Sequence, residues 1–67
     1  NDKKEACRYY KIAADKGHVN SMKNYGIMLR DGDGIPANKS EAIRYFKKAA
    51  DSGDENGKIM YNDLINR

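Results

Sequence analysis

Residues 3–17, Lys-Lys-Glu-Ala-Cys-Arg-Tyr-Tyr-Lys-Ile-Ala-Ala-Asp-Lys-Gly, recur at 39–53 as Lys-Ser-Glu-Ala-Ile-Arg-Tyr-Phe-Lys-Lys-Ala-Ala-Asp-Ser-Gly. The offset is 36 residues, and ten of the 15 pairs are identical. Identity then thins, although Asn20/Asn56 and Tyr25/Tyr61 stay in register. A fixed period of this length marks a repeat architecture, in which each unit buries its apolar face on its neighbour. The 67 residues read as two copies, 1–37 and 38–67, the second divergent or truncated.

Each copy opens with a helix. Ala6, Tyr9, Tyr10 and Ala13 fall at i, i+3, i+4 and i+7, and Ala42, Tyr45, Phe46 and Ala49 repeat the spacing. That is one apolar stripe on a 3.6-residue period. Asp2-x-x-Glu5 and Asn38-x-x-Glu41 are capping-box patterns at the starts. Gly17 and Gly53 stand where a left-handed residue ends a helix. These signals predict helices over 3–16 and 39–52. Shorter helices over 19–30 and 55–66 follow, with Met22, Tyr25 and Leu29, then Met60, Tyr61, Leu64 and Ile65, as their apolar faces. Arg30-Asp-Gly-Asp-Gly-Ile-Pro-Ala-Asn38 is a turn-rich connector in which Ile35 reads as an anchor under the helices. The expected fold is all-α: two antiparallel helix hairpins forming a short α/α superhelix, a solenoid segment.

These residues resemble Sel1-like repeats, relatives of the tetratricopeptide repeat. The resemblance rests on Ala6-x-x-Tyr9-Tyr10-x-x-Ala13-Ala14-x-x-Gly17, on Tyr25-Gly26-Ile27-Met28, on Gly32-Asp33-Gly34-Ile35, and on the restart at Ala42-x-x-Tyr45-Phe46-x-x-Ala49-Ala50-x-x-Gly53. The 36-residue period and the Gly-x-Gly-Ile connector favour it over an ordinary tetratricopeptide unit, whose period is about 34. One departure stands out: Gly26, which would let two helices lie close, has Asn62 as its counterpart. The resemblance implies a scaffold without catalytic residues, with the first helices lining the concave side. It implies an adaptor or scaffold for protein–protein contacts, or alternatively a regulatory repeat region of a larger enzyme such as a protein kinase. A helical repeat that binds RNA is the third reading.

Composition narrows these classes. Charged residues are 34% and hydrophobic ones 39%, with net charge +3. That is ordinary for a globular chain and well short of the charge blocks of a nucleic-acid arm, so nucleic acid is a poor expectation. No apolar run is long enough to span a bilayer, and no basic-then-apolar leader opens the chain. Starting at Asn1 rather than Met, the chain is expected to be a processed product or a piece of a larger protein. Cys7 is the only cysteine, which excludes an internal disulfide and a Cys-rich zinc site and fits an intracellular, cytoplasmic setting.

The candidate chemistry is sparse. Cys7 and His18 lie about 16 Å apart along a helix, too far for a nucleophile and its base. Asp31-Gly32-Asp33-Gly34 resembles a calcium loop, but neither register supplies the ligands at positions 5 and 12 with glycine at 6. Neither a metal nor a cofactor is expected, and the chain is not expected to be an enzyme. What remains is a polar face. Lys4, Arg8, Lys11 and Asp15 lie opposite the first apolar stripe, and Ser40, Arg44, Lys47 and Asp51 repeat it. Surface pairs Lys11–Asp15 and Lys47–Asp51 are expected there, each contributing only about a few tenths of a kcal/mol. Lys4, Arg8, Lys11, Arg44 and Lys47 are the candidate partner-binding residues, for a protein or an acidic peptide. Self-association through the open repeat ends, by way of Leu64 or Ile65, is a further expectation.

Overall fold

The structure, a computed structural model, describes residues 2–67. It contains four helices and, among those residues, no strand: α1 (Asp2–Asp15), α2 (Val19–Asp31), α3 (Lys39–Asp51) and α4 (Glu55–Ile65). Every helix falls within a residue or so of the boundaries read from periodicity and caps. The differences are local. Asp2 already lies in the first turn of α1 rather than ahead of it as a cap. Asn38 does cap α3, its side chain accepting from the Glu41 N–H at 3.1 Å, but the box is only half closed. The Asn38 N–H donates to the Leu29 carbonyl at 2.7 Å, and the Glu41 carboxylate holds Arg44 instead.

The helices follow one another in a zigzag: α1 packs on α2, α2 on α3 and α3 on α4. The α2·α3 seam is the most extensive, so the two hairpins are joined more broadly than either is closed. Gly17 and Gly53 turn the chain inside the hairpins at φ 96° and 90°, a region closed to most side chains. The molecule is a slab of 31 × 25 × 14 Å, too thin for a central core. Its core is the row of seams between helices. Its accessible surface of 4288 Å² equals what a compact monomer of 7.6 kDa exposes, so two units already bury an ordinary share of their surface.

Tyr45 and Phe46 are the large side chains at the centre of this row, 0% and 1% exposed. Ala42 and Ala49 flank them on the same face of α3, both fully buried. The second apolar stripe is therefore as expected. The first is not. Tyr9 is 67% exposed, and Tyr10 and Ala6 are only partly covered. Cys7, Ala13 and Ala14 are the buried residues of α1 instead. The reason is positional: α3 packs broadly on α2 on one side and on α4 on the other, whereas α1 packs broadly on α2 only. Met22, Tyr25 and Leu29 are buried, Met28, Met60 and Tyr61 pack against the core, and Ile35 anchors the connector there as expected. Leu64, expected at the open end, is 3% exposed and belongs to this core, while Ile65 is 44% exposed.

Candidate functional site: the charged face of α1 and α3

The five sequence-predicted residues all lie on α1 and α3; Arg8 and Arg44, and Lys11 and Lys47, are related by the repeat, while the repeat-mate of Lys4 is Ser40. Their surroundings differ. Arg8 pairs with Glu5 at 3.4 Å, Lys11 with Asp15 at 3.4 Å, and Arg44 with Glu41 through two nitrogens at 2.9 and 3.1 Å. Lys4 and Lys47 are exposed and enter no ion pair with a described residue. The expected Lys47–Asp51 pair is not made, whereas its repeat-mate Lys11–Asp15 is. The basic strip is thus a mixed one, with carboxylates interleaved among the cations.

At its middle the two helices are tied together. The Tyr45 hydroxyl donates to Asp15 Oδ1 at 2.8 Å, joining α3 to the end of α1. The Tyr45 ring stands edge-on to Tyr25, with centroids 4.8 Å apart and planes at 90°. Arg44 and Lys48 approach the same ring at 5.0 and 5.2 Å. Burial, then the Asp15 carboxylate, pushes the Tyr45 phenol up to about 12. The Tyr45 hydroxyl in turn holds Asp15 below the usual carboxylate range, with Lys11 adding to it. Glu41 is lowered by Arg44 first and by Lys11 more weakly, so charges from both helices act on one another. Sequence reasoning took Asp15 only as a surface partner of Lys11. A buried tyrosine hydroxyl needs an acceptor, but nothing in the spacing identifies one 30 residues away.

The other candidate chemistry resolves into structure. Cys7 is buried, with its thiol 3.3 Å from Met28 Sδ and 3.3 Å from the Asp33 carbonyl oxygen, and burial raises its pKa. His18 starts α2 without making a side-chain cap, where Asp54 caps α4 through the Gly57 N–H at 2.8 Å. In the connector, Asp31 is held by Arg30 at 2.8 Å and Asp33 by Lys3 at 2.9 Å. On the opposite side, α2 and α4 flank an open cleft of about 310 Å³ lined by Lys23, Asn24, Ile27, Asn56, Ile59 and Met60. Lys23 is neutralised there by Asp54 at 3.0 Å. Among the described residues, no helix is long and apolar enough to cross a membrane.

Stacked antiparallel hairpins, related by a fixed sequence shift and joined through their neighbouring helices, define an α-solenoid repeat protein. The family model for the Sel1 repeat matches residues 1–18 and 19–54, and the chain belongs to the Sel1 repeat family. The longer match runs through α2, the connector and α3, so it spans the α2·α3 seam. No curated protein and no solved structure matches the chain. Sel1 repeats are in general protein-interaction modules, and the family is typically non-catalytic.

Proposed function

We propose that this segment belongs to an adaptor or scaffold and binds an acidic peptide stretch of a partner protein along the α1/α3 face. Lys4, Arg8, Lys11, Arg44 and Lys47 carry the recognition. The observation that supports this most is the state of those cations. Lys4 and Lys47 have no carboxylate partner among the described residues, and the ion pairs of the other three are solvent-exposed, Arg44 also lying over the Tyr45 ring. Exposed pairs contribute little, so an incoming carboxylate can exchange for Glu5, Asp15 or Glu41 at small cost. The gain is in on-rate and selectivity more than in affinity. Burial of Tyr45 and Phe46 leaves those two rings unavailable for base stacking, which weighs against RNA.

The test uses the charge-reversed chain Arg44→Glu/Lys47→Glu and an acidic peptide as probe, with binding followed across a salt series. Binding should weaken and lose its salt dependence while helix content stays unchanged. Equal binding by both chains would return this face to a solvated surface.

A further inference from the structure

Both α2 and α4 pack broadly on α3 but not on each other, and between them lies the open cleft of about 310 Å³. Ile27, Ile59 and Met60 supply its apolar surface. Ile27 and Met60 also pack against the core, whereas Ile59 is 62% exposed. At that exposure Ile59 gives the fold little, but it extends the apolar surface of the cleft. The volume is at the small end of ligand pockets. Open on one side, the cleft takes one side chain and the backbone beside it rather than a whole drug-sized molecule.

The polar groups define what kind of chain fits. Asn24 on α2 and Asn56 on α4 line the cleft, and neither side chain makes a hydrogen bond with a described residue. A carboxamide offers N–H donors and an acceptor oxygen together. A residue of extended backbone offers one N–H and one C=O. Each asparagine therefore matches the unpaired backbone of an extended segment. Lys23 is the one charged residue lining the cleft, and Asp54 takes its ammonium at 3.0 Å. That pair is sheltered, its side chains 15% and 26% exposed. Lys23 first, then the Gly57 N–H, hold Asp54 below the usual carboxylate range, so the pair persists at neutral pH. An incoming carboxylate would have to displace one that caps α4 as well. An incoming cation would lose water and gain no partner. The cleft is closed to charge and open to apolar and amide groups.

We propose that the α2/α4 cleft binds an uncharged, extended segment of a partner protein, seating one aliphatic side chain on Ile27, Ile59 and Met60 while Asn24 and Asn56 pair with the flanking backbone. Asp54 sets the selectivity by neutralising Lys23. The cleft shares no residue with the α1/α3 face proposed for an acidic peptide, so either site can fail without the other.

The probes are the blocked peptide acetyl-Gly-Ser-Leu-Ser-Gly-amide and its versions with alanine or aspartate at the centre, titrated into the isotopically labelled chain and followed by amide NMR. The leucine peptide should give saturable shifts confined to α2 and α4. Alanine at the centre should weaken binding about tenfold or more, as loss of methylene contacts in an apolar site does, and aspartate should abolish it. Ile59→Ser, Asn24→Ala and Asn56→Ala all lie at exposed positions and should keep the helix content. Ile59→Ser should weaken the leucine peptide about tenfold, and each asparagine variant about five- to tenfold through lost hydrogen bonds. Asp54→Asn frees the Lys23 ammonium and should reverse the ranking in favour of the aspartate peptide. Should α4 fray in that variant, the wild-type ranking of leucine over aspartate decides the same point. Absence of saturable shifts, shifts on α1 and α3 instead, equal binding of the leucine and alanine peptides, or an aspartate peptide that binds wild type as well as the leucine one would each overturn the proposal. So would cleft resonances that move with protein concentration alone, since a second copy of the chain would then be the occupant.

Discussion

Replacing Gly26 by alanine sets two physical effects against each other. Within a helix, Ala is favoured over Gly by about 1 kcal/mol, so on an exposed face the change would stabilise α2. Gly26 is buried, however, and an ideal Cβ there lies 2.5 Å from Phe46 Cε1, 2.8 Å from Cδ1 and 3.1 Å from Cζ. Carbon atoms pack at about 3.5–4.0 Å, so the ring must retreat by about 1 Å. Phe46 is 1% exposed and has nowhere to retreat without opening the α2·α3 seam. Overpacking of this kind costs about 1–3 kcal/mol. Since the ring is rigid and the seam is the widest in the molecule, the steric cost outweighs propensity. Net destabilisation should be up to about 2 kcal/mol. Urea unfolding at 25 °C reads this as a lower midpoint at unchanged m-value. The control is Gly26→Ala in a Phe46→Leu background, where the offending ring atoms are gone and the alanine should be neutral or stabilising. A Gly26→Ala chain more stable than wild type by about 1 kcal/mol would refute the close approach of Phe46 to α2.

Two further outcomes follow from the links between helices. Tyr45→Phe should cost about 1 kcal/mol through the lost hydrogen bond to Asp15, with Tyr25 packing retained. Its pH dependence has a definite sign. The Tyr45 phenol is raised to about 12 in the fold, so its contribution is complete below pH 10 and is lost between pH 10 and 12. Asp15 is depressed, so its contribution is complete above about pH 4 and is lost as the pH falls below that. Thermal midpoints should show both losses in wild type, and the alkaline one should shrink in Tyr45→Phe. Asp54→Ala removes both the cap on the Gly57 N–H and the Lys23 bridge. Amide exchange in the first turn of α4 should then accelerate while α1 is unaffected, and Asp54→Asn, which keeps the cap, should do less.

The elements were legible because each is bounded by chemistry that acts locally: Asn38 at a start, Gly17 and Gly53 at the ends, and an apolar stripe between. Which stripe is covered was not. Periodicity says which face of α1 is apolar, but exposure of Tyr9 depends on whether another helix lies beyond it, and that is not a property of the stripe. The charged face was legible as a set of positions and misjudged in its pairing. Lys11–Asp15 and Lys47–Asp51 have the same spacing, yet only the first closes. Asp15 is fixed in place by the Tyr45 hydroxyl, while Asp51 has no such anchor. Gly57 was overlooked because its repeat-mate is Ser21. Its missing Cβ would come within 2.8 Å of Ala49, which is what lets α4 lie against α3.

The central claim is that the two repeats stack through α3 onto α2, with Phe46 seated on Gly26. Proton NMR of the chain tests it most directly. The account predicts strong cross-peaks between the Gly26 α-protons and the Phe46 ring, with those α-protons shifted upfield by the ring current. Cross-peaks between the Tyr25 and Tyr45 rings should accompany them. Gly26 α-protons at ordinary helical shifts, with no contact to the Phe46 ring, would contradict it.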